Sequence, residues 1–261
     1  PRGGVGARGD GDGEAERDRD HGDGDAGHEV GGELAAVAIV LDVRVGIDRQ
    51  RIVDNFYPAG SVVASHFTPC AIPGGCEGAA WPEYDPEKAK ALLAEAGHAD
   101  GIDVNLAVGS EWTDIVRYAE VLKEDAAPAG IRVNIQTMPT SQYWEKWTEV
   151  DLGVTPWTHR PLGTMVPNLA YVADDEGKPV PWNETRWVDK EFSELLDQAS
   201  GTLDVDKRRE IFCKLEDIQM NRGSIGIAYW MNTWMCANKK LKNVDSHPNL
   251  IFLFNEAWLD V

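Results

Sequence analysis

The chain has 261 residues, enough for one large domain or two moderate ones with a sizeable core. A hydrophobic content of 43% and ten tryptophans point to a folded protein. The formal net charge of −19 argues against a nucleic-acid binder, which needs a basic face, and against adherence to an anionic membrane surface, so neither partner is expected.

The first 33 residues are dominated by glycine and charge and lack the apolar side chains that offset ordering entropy, so they read as a disordered or artefactual tail. Asp10, Asp12 and Glu14 alternate around glycines as in a calcium loop, but the twelfth position holds His21 where an acid is needed, and no metal is expected. The longest apolar run, Leu34 to Leu41, is far short of the ~20 residues of a membrane helix, so no membrane insertion is expected. The first residue is proline rather than methionine, which reads as a fragment or a processed chain.

From Asp48 the pattern becomes globular. "IDRQRIVDNFYPAG" predicts a helix ending near Gly60. A Pro- and Gly-rich loop follows, with Cys70 and Cys76 spaced C-x5-C. The reading for an oxidising compartment is a small disulfide loop, and the alternative is two free thiols. "EYDPEKAKALLAEAGH" predicts a helix capped by Asp85, opened by Pro86 and stopped at Gly97, with Ala89, Leu92, Leu93 and Ala96 on one face.

Ile102 to Val108 alternates as a strand, Thr113 to Ala127 is helical, "IRVNIQT" alternates again, and a short helix is expected over Ser141 to Glu149. The short apolar run Leu152-Gly153-Val154 leads into "TPWTHRPLGTM", which sets Trp157, His159 and Arg160 in one proline-bounded bend. A polar loop, "ADDEGKPVPWNETRW", precedes two helices over Asp189 to Ser200 and Asp206 to Arg222, the second with Ile211, Leu215 and Ile218 on one face. "SIGIAYWMNTWM" reads as a buried strand in which Tyr229 and Trp230 are core, and "IFLFNEAWLDV" as a further apolar strand. Cys213 and Cys236 lie in apolar stretches and read as small core residues. Helices alternating with strands imply a layered α/β fold.

Familiar catalytic signatures are missing: there is no G-x-S-x-G elbow, H-E-x-x-H, phosphate loop or Rossmann glycine pattern. Catalytic residues and cofactors are therefore not expected. The rival reading is a carbohydrate-binding or hydrolytic domain using tryptophan stacking and paired carboxylates, although no pair of acids stands out.

The order of "GIDRQRIVDNFYPAG", "YDPEKAKALLAEAG", a strand ending near a tryptophan, "DKRREIFCKLEDIQ" and "IGIAYW" resembles the C-terminal half of the family 5 extracellular solute-binding proteins, the peptide, nickel and opine receptors of ABC importers. The likeness covers about residues 42–261. It implies a type II periplasmic binding protein-like fold, two α/β lobes that close on a ligand. Residues 34–60 would end lobe one, 61–225 would form lobe two, and 226–261 would return to lobe one. Most of lobe one would be absent, leaving "SIGIAYW" and "IFLFNEAWL" exposed and the piece poorly folded alone.

The resemblance implies a substrate-binding subunit, periplasmic or extracellular and membrane-associated. It would capture a small oligopeptide-like or anionic, opine-like solute and deliver it to permease subunits. Peptide-binding relatives often carry an aspartate after the tryptophan that matches Trp157, and it pairs with the ligand's α-amino group. That position holds Arg160 here, which forks onto a carboxylate instead. The candidate ligand contacts are Trp157, His159 and Arg160, with Trp182, Asn183 and Trp187 at the rim of the cleft.

Overall fold

The computed structural model describes residues 45–56, 61–64, 76, 83–232, 234–247 and 251–260. The glycine-rich head, the apolar run Leu34 to Leu41, and Cys70 lie outside the described residues. The expected first helix is seen as α1, Arg49–Phe56, and the residues that would carry it to Gly60 also lie outside.

A three-stranded parallel sheet forms the centre, in the order β3-β2-β4, with β2 at Ile102–Gly109, β3 at Ile131–Met138 and β4 at Leu152–Gly153. The 3.6-residue pattern before it becomes α2, Pro86–Glu95. Asp85 Oδ1 accepts from the Lys88 N–H at 2.9 Å, and Ala89 and Leu93 are fully buried. Between β2 and β3 runs α3, Thr113–Ala126, whose buried stripe of Ile115, Tyr118, Ala119, Val121, Leu122 and Ala126 faces the sheet. A 3-10 turn, Ala127–Ala129, ends it ahead of Gly130. Between β3 and β4 lies α4, Thr140–Lys146, shorter than the sequence pattern predicts. The strand–helix–strand alternation forces parallel pairing, since each helix must cross back over the sheet.

One core gathers Leu106, Val108 and Ile131 with Leu93, Ala119 and Leu122, and draws in Val45, Ile47 and Ile52 from around α1 and Ala228 from near the C-terminus. Asp125, buried on α3, ties α1 down by accepting from the Asp48 N–H at 3.1 Å and from the Arg51 guanidinium. Nearby, β1, Val62–Val63, pairs antiparallel with β5, Tyr229–Trp230, so two distant crossings of the chain run side by side.

A second core lies beyond the sheet. It joins α5, Met165–Ala170, to an antiparallel helical pair, α6 at Lys190–Gly201 and α7 at Val205–Arg222. Asp189 caps α6 by accepting from the Phe192 N–H at 2.8 Å, and it also receives Arg222 Nε from the far end of α7 at 2.6 Å. Phe192, Leu196, Phe212 and Leu215 are fully buried here, each worth about 1.5–3 kcal/mol in removal from water.

Three expectations are corrected. Cys76 is bonded to Cys213 on α7 rather than to Cys70, because folding brings the loop before α2 against that helix. Cys236 is exposed and free rather than a core residue. Among the described residues of "SIGIAYWMNTWM" the two-residue β5 is the only strand, with Tyr229 and Trp230 half-buried and Met231 and Trp234 exposed, so the stretch is not a buried strand.

The C-terminal segment pairs as short ribbons: β6, Leu241–Lys242, with β9, Trp258–Leu259, and β7, Asp245–His247, with β8, Ile251–Leu253. Phe252, Phe254, Trp258 and Leu259 are all more than half exposed. Their sequence pattern is that of a buried face, and no described element covers it.

Candidate functional site

The carboxyl ends of β2, β3 and β4 lie along one edge of the sheet, and each is followed by an aromatic side chain. After β2 comes Trp112, at the start of α3. After β3 come Tyr143, Trp144 and Trp147, on and just beyond α4. After β4 comes Trp157. Trp182 joins them from the loop between α5 and α6. The rings form one continuous array, with neighbouring centroids from 5.2 Å between Trp112 and Trp144 to 6.4 Å between Trp147 and Trp157, mostly edge to face as aromatic quadrupoles prefer.

Glycines at two strand ends permit this approach. A Cβ on Gly109 would lie 2.7 Å from the Trp112 ring, and one on Gly153 would lie 2.7 Å from the Tyr143 hydroxyl.

Under the rings runs a polar relay. The Tyr143 hydroxyl stands 2.7 Å from Thr155 Oγ1, and Thr155 donates to Glu184 Oε2. A threonine hydroxyl has one proton, so with that proton on Glu184 it must accept from Tyr143. Burial pushes the Tyr143 phenol up to about 12, which keeps it a neutral donor. Trp157 Nε1 donates to Glu184 Oε1 at 3.3 Å. Burial raises the Glu184 carboxyl above its ordinary range, and the two donated hydrogen bonds only partly oppose it.

The bend Thr155 to Met165 delivers Trp157 half-buried, against the second core on one side and Trp147 and Trp182 on the other. Arg160 is half-exposed. Its Nη1 bonds the Thr158 hydroxyl and, at 3.3 Å, the His159 carbonyl, while Nε and Nη2 carry no hydrogen bond among the described residues. No carboxylate among the described residues pairs with it. His159 stands edge-on to His247 of β7, with centroids 6.4 Å apart. Burial, then His247, then Arg160 lower its pKa, favouring the neutral ring.

The other expected contacts divide. Trp182 is about half exposed at the outer end of the array. Asn183 is buried at 3% exposure, and its amide donates to the Val172 carbonyl at 3.2 Å and the Trp187 carbonyl at 2.8 Å. Trp187 is buried edge-on against Phe192 in the second core. Asn183 and Trp187 thus hold the loop from beneath, while Trp182 and Glu184 face the array. Arg186, with a left-handed φ of 59°, fastens the same loop to the Thr148 carbonyl at 2.7 Å.

Sequence reasoning passed over Tyr143, Trp147, Thr155 and Glu184. The signal for Trp147 was present, since Trp144 and Trp147 stand three apart, on one side of a helix. Glu184 had none, being one acid among many in a polar loop. Among the described residues no group of three or more His, Cys, Asp or Glu is placed to hold a metal. Nor is any helix there long and apolar enough to cross a membrane.

Residues 43–176, just over half of the chain, match the family described as bacterial extracellular solute-binding proteins, family 5 Middle. The di/tripeptide-binding protein 4 of Pseudomonas aeruginosa (strain UCBPP-PA14) is 30% identical over 141 residues, which is 51% of this chain and 25% of that protein. The dipeptide-binding protein of Escherichia coli (strain K12) is 27% identical over 180 residues, 64% of this chain and 32% of its own length. Among solved structures, HbpA2 from Haemophilus parasuis superimposes with a TM-score of 0.72 at 25% identity, covering 88% of this chain and 46% of that one. The chain thus spans about a third or less of these curated relatives. The expected family and α/β periplasmic binding protein fold are borne out.

Proposed function

The chain belongs to the bacterial extracellular solute-binding proteins, family 5, and on that premise we propose that it forms the ligand-binding lobe of a receptor serving an ABC importer outside the cytoplasmic membrane. The observation that carries the reading is the convergence of Trp147, Trp157 and Trp182 at the carboxyl edge of a parallel sheet. Open α/β sheets take ligands in the crevice beyond the carboxyl ends of their strands. Rings in that position cover apolar parts of a small molecule, and the bend supplies its charge recognition.

The ligand in this reading is of dipeptide size and carries a carboxylate. The similarity to dipeptide- and di/tripeptide-binding proteins supports the size. Arg160 supports the charge, since a guanidinium with unused Nε and Nη2 donors forks onto a carboxylate. Trp157 and Trp182 pack on the body of the ligand, and His159 lies beside Arg160.

Delivery works by population shift. A ligand touching two lobes favours the closed arrangement, which the permease subunits then recognise. The lobe assigned here runs from 61 to 225, with 34–60 and 226–261 as the crossings to and within lobe one. The hydrogen bond from Arg49 Nε to the Ile227 carbonyl at 3.1 Å supports this, because it sets the two crossings next to each other.

The test is a titration of the full-length protein with a dipeptide library, followed by intrinsic tryptophan fluorescence and thermal denaturation. Quenching or enhancement together with a raised Tm, and ligand recovered chemically intact, is the expected result. Product formation would support a hydrolase instead, and no response to any member would remove the peptide reading.

A further inference from the structure

We propose that His159 and His247 form a pH-sensitive latch, in which the neutral pair seats the ribbon of β7 and β8 on the bend after β4 and the protonated pair releases it. The latch goes beyond ligand capture, since it sets access to the cleft by acidity. It rests on the receptor reading only for the assignment of the bend and the ribbon to opposite walls.

The two rings come from distant parts of the chain. His159 sits in the proline-bounded bend and His247 ends β7, and their planes meet at 71° with centroids 6.4 Å apart. Neutral rings prefer this edge-to-face arrangement, because the positive edge of one meets the negative face of the other. Both residues are half-buried. The ribbon that carries His247 has two strands, Asp245–His247 against Ile251–Leu253, and a two-stranded ribbon is marginally stable by itself. A modest contact therefore decides whether it stays seated.

The surrounding charges make that contact sensitive to protons. Arg160 is the other charged side chain of the bend Thr155 to Met165. Asp245 lies two positions before His247 on β7, hence on the same face of the strand, and β8 brings Ile251, Phe252 and Leu253, none of them ionisable. Burial, then His247, then Arg160 hold the pKa of His159 below the ordinary 6.5, and no carboxylate among the described residues offsets them there. Protonating both rings sets three positive charges together, with Asp245 as the acid on β7 to temper them. The seated state thus takes up a proton at His159 less readily than the released state. Its stability is full above about pH 6.5 and is lost as pH falls through the lowered value.

Two imidazoles could also begin a transition-metal site. The Arg160 guanidinium beside them disfavours a bound cation, and among the described residues no group of three or more His, Cys, Asp or Glu is placed to hold one.

The experiment compares the full-length protein, without ligand, at pH 7.5 and pH 5.0 by amide hydrogen exchange corrected for the pH dependence of the intrinsic rate. Wild type is expected to lose at least fivefold of its protection at residues 155–165 and 245–253 as pH falls, while α3 and α7 keep theirs. His159→Phe and His247→Phe each retain a ring for the contact but remove the proton site, and each should keep the same protection at both pH values. Their Tm at pH 7.5 shows that the fold is kept, and if one variant fails to fold the other carries the test. An equimolar dipeptide library, read by native mass spectrometry, should be retained at least threefold less by wild type at pH 5.0 than at pH 7.5. Equal protection of wild type at both pH values, or a loss that persists in the Phe variants, would overturn the latch and leave the receptor reading standing. Retention of no library member at either pH would overturn the receptor reading, while the exchange measurement still decides the latch.

Discussion

Cys76 and Cys213 are bonded across 137 positions of sequence, with their Cα atoms 4.8 Å apart, so the loop before α2 is tied to the middle of α7. The link joins the side of the sheet that carries α2 to the second core. A loop of this length loses much denatured-state entropy when closed. Peptide mapping without reductant should recover a Cys76–Cys213 peptide, and only Cys236 among these three should alkylate readily in the native protein. Cys213→Ser should cost about 3–5 kcal/mol and lower the Tm. Recovery of a Cys70–Cys76 peptide instead would contradict the pairing.

The second core should be costly to hollow out. Phe212 and Leu215 of α7 are fully buried against Phe192 and Leu196 of α6. Phe212→Ala should destabilise by about 3–5 kcal/mol, and Leu215→Ala by about 2–5 kcal/mol. Chemical denaturation of the two variants checks both values, with the m-value expected to stay constant.

Asn183→Ala should remove the amide that satisfies the Val172 and Trp187 carbonyls and cost about 1–3 kcal/mol. Because this residue sits beneath the loop, its loss should loosen the placement of Trp182 and Glu184. Denaturation should report the stability loss, and the fluorescence change on ligand addition should shrink.

How much of this was legible in the sequence depended on whether a residue's role is local. Asp85, Pro86 and Gly97 bracket α2 because caps act within one turn, and α3 and β2 follow from the periodicity of Ile115 to Ala126 and Ile102 to Val108. The Cys76 partner was not legible, since nearness in sequence favoured Cys70 while only the fold brings α7 close. Trp157, Arg160 and Trp182 stood out as candidates because unusual residue types cluster in a bend and a loop. Glu184 and Thr155 were not, because their meaning comes from a contact made 29 positions apart. Asn183 and Trp187 carried the same aromatic and amide signal as these candidates, but the chain turns them inward onto Val172 and Phe192.

Glu184 gives a pH signature separate from ligand binding. Burial raises its folded-state pKa above the ordinary 4.5, so the folded state holds the proton more tightly than the unfolded chain does. That contribution to stability is fully present at low pH and is lost as pH rises from the unfolded value through the raised one. Glutamine does not titrate. Glu184→Gln should therefore gain stability relative to wild type between about pH 4.5 and neutrality, with the difference levelling off above the raised pKa. Parallel thermal melts of the two proteins across that range test the sign. A difference that is flat with pH would mean that burial does not perturb the carboxyl.

Arg160 tests the charged end of the proposed ligand. Its Nη1 is occupied by Thr158 and the His159 carbonyl, which holds the guanidinium plane near the bend and leaves Nε and Nη2 as a ready fork. Pro156 and Pro161 restrict the backbone on either side, limiting the entropy lost when a ligand is gripped. In the full-length protein Arg160→Ala should weaken binding of a carboxylate-bearing dipeptide by about 2–5 kcal/mol, the usual consequence of leaving a closed-in charge unpaired. Arg160→Lys should recover only part of this, because an ammonium is a point charge and cannot present two parallel N–H donors to one carboxylate. Arg160→Asp should hurt most, since it adds repulsion to the lost pair. Calorimetry of the three variants against a dipeptide and its C-terminal amide separates charge recognition from packing. The amide should bind all four proteins with similar affinity, whereas the free acid should rank them wild type, Lys, Ala, Asp. Equal affinity of all four proteins for the free acid would give Arg160 the task of bracing the bend through Thr158 and leave carboxylate recognition to another residue.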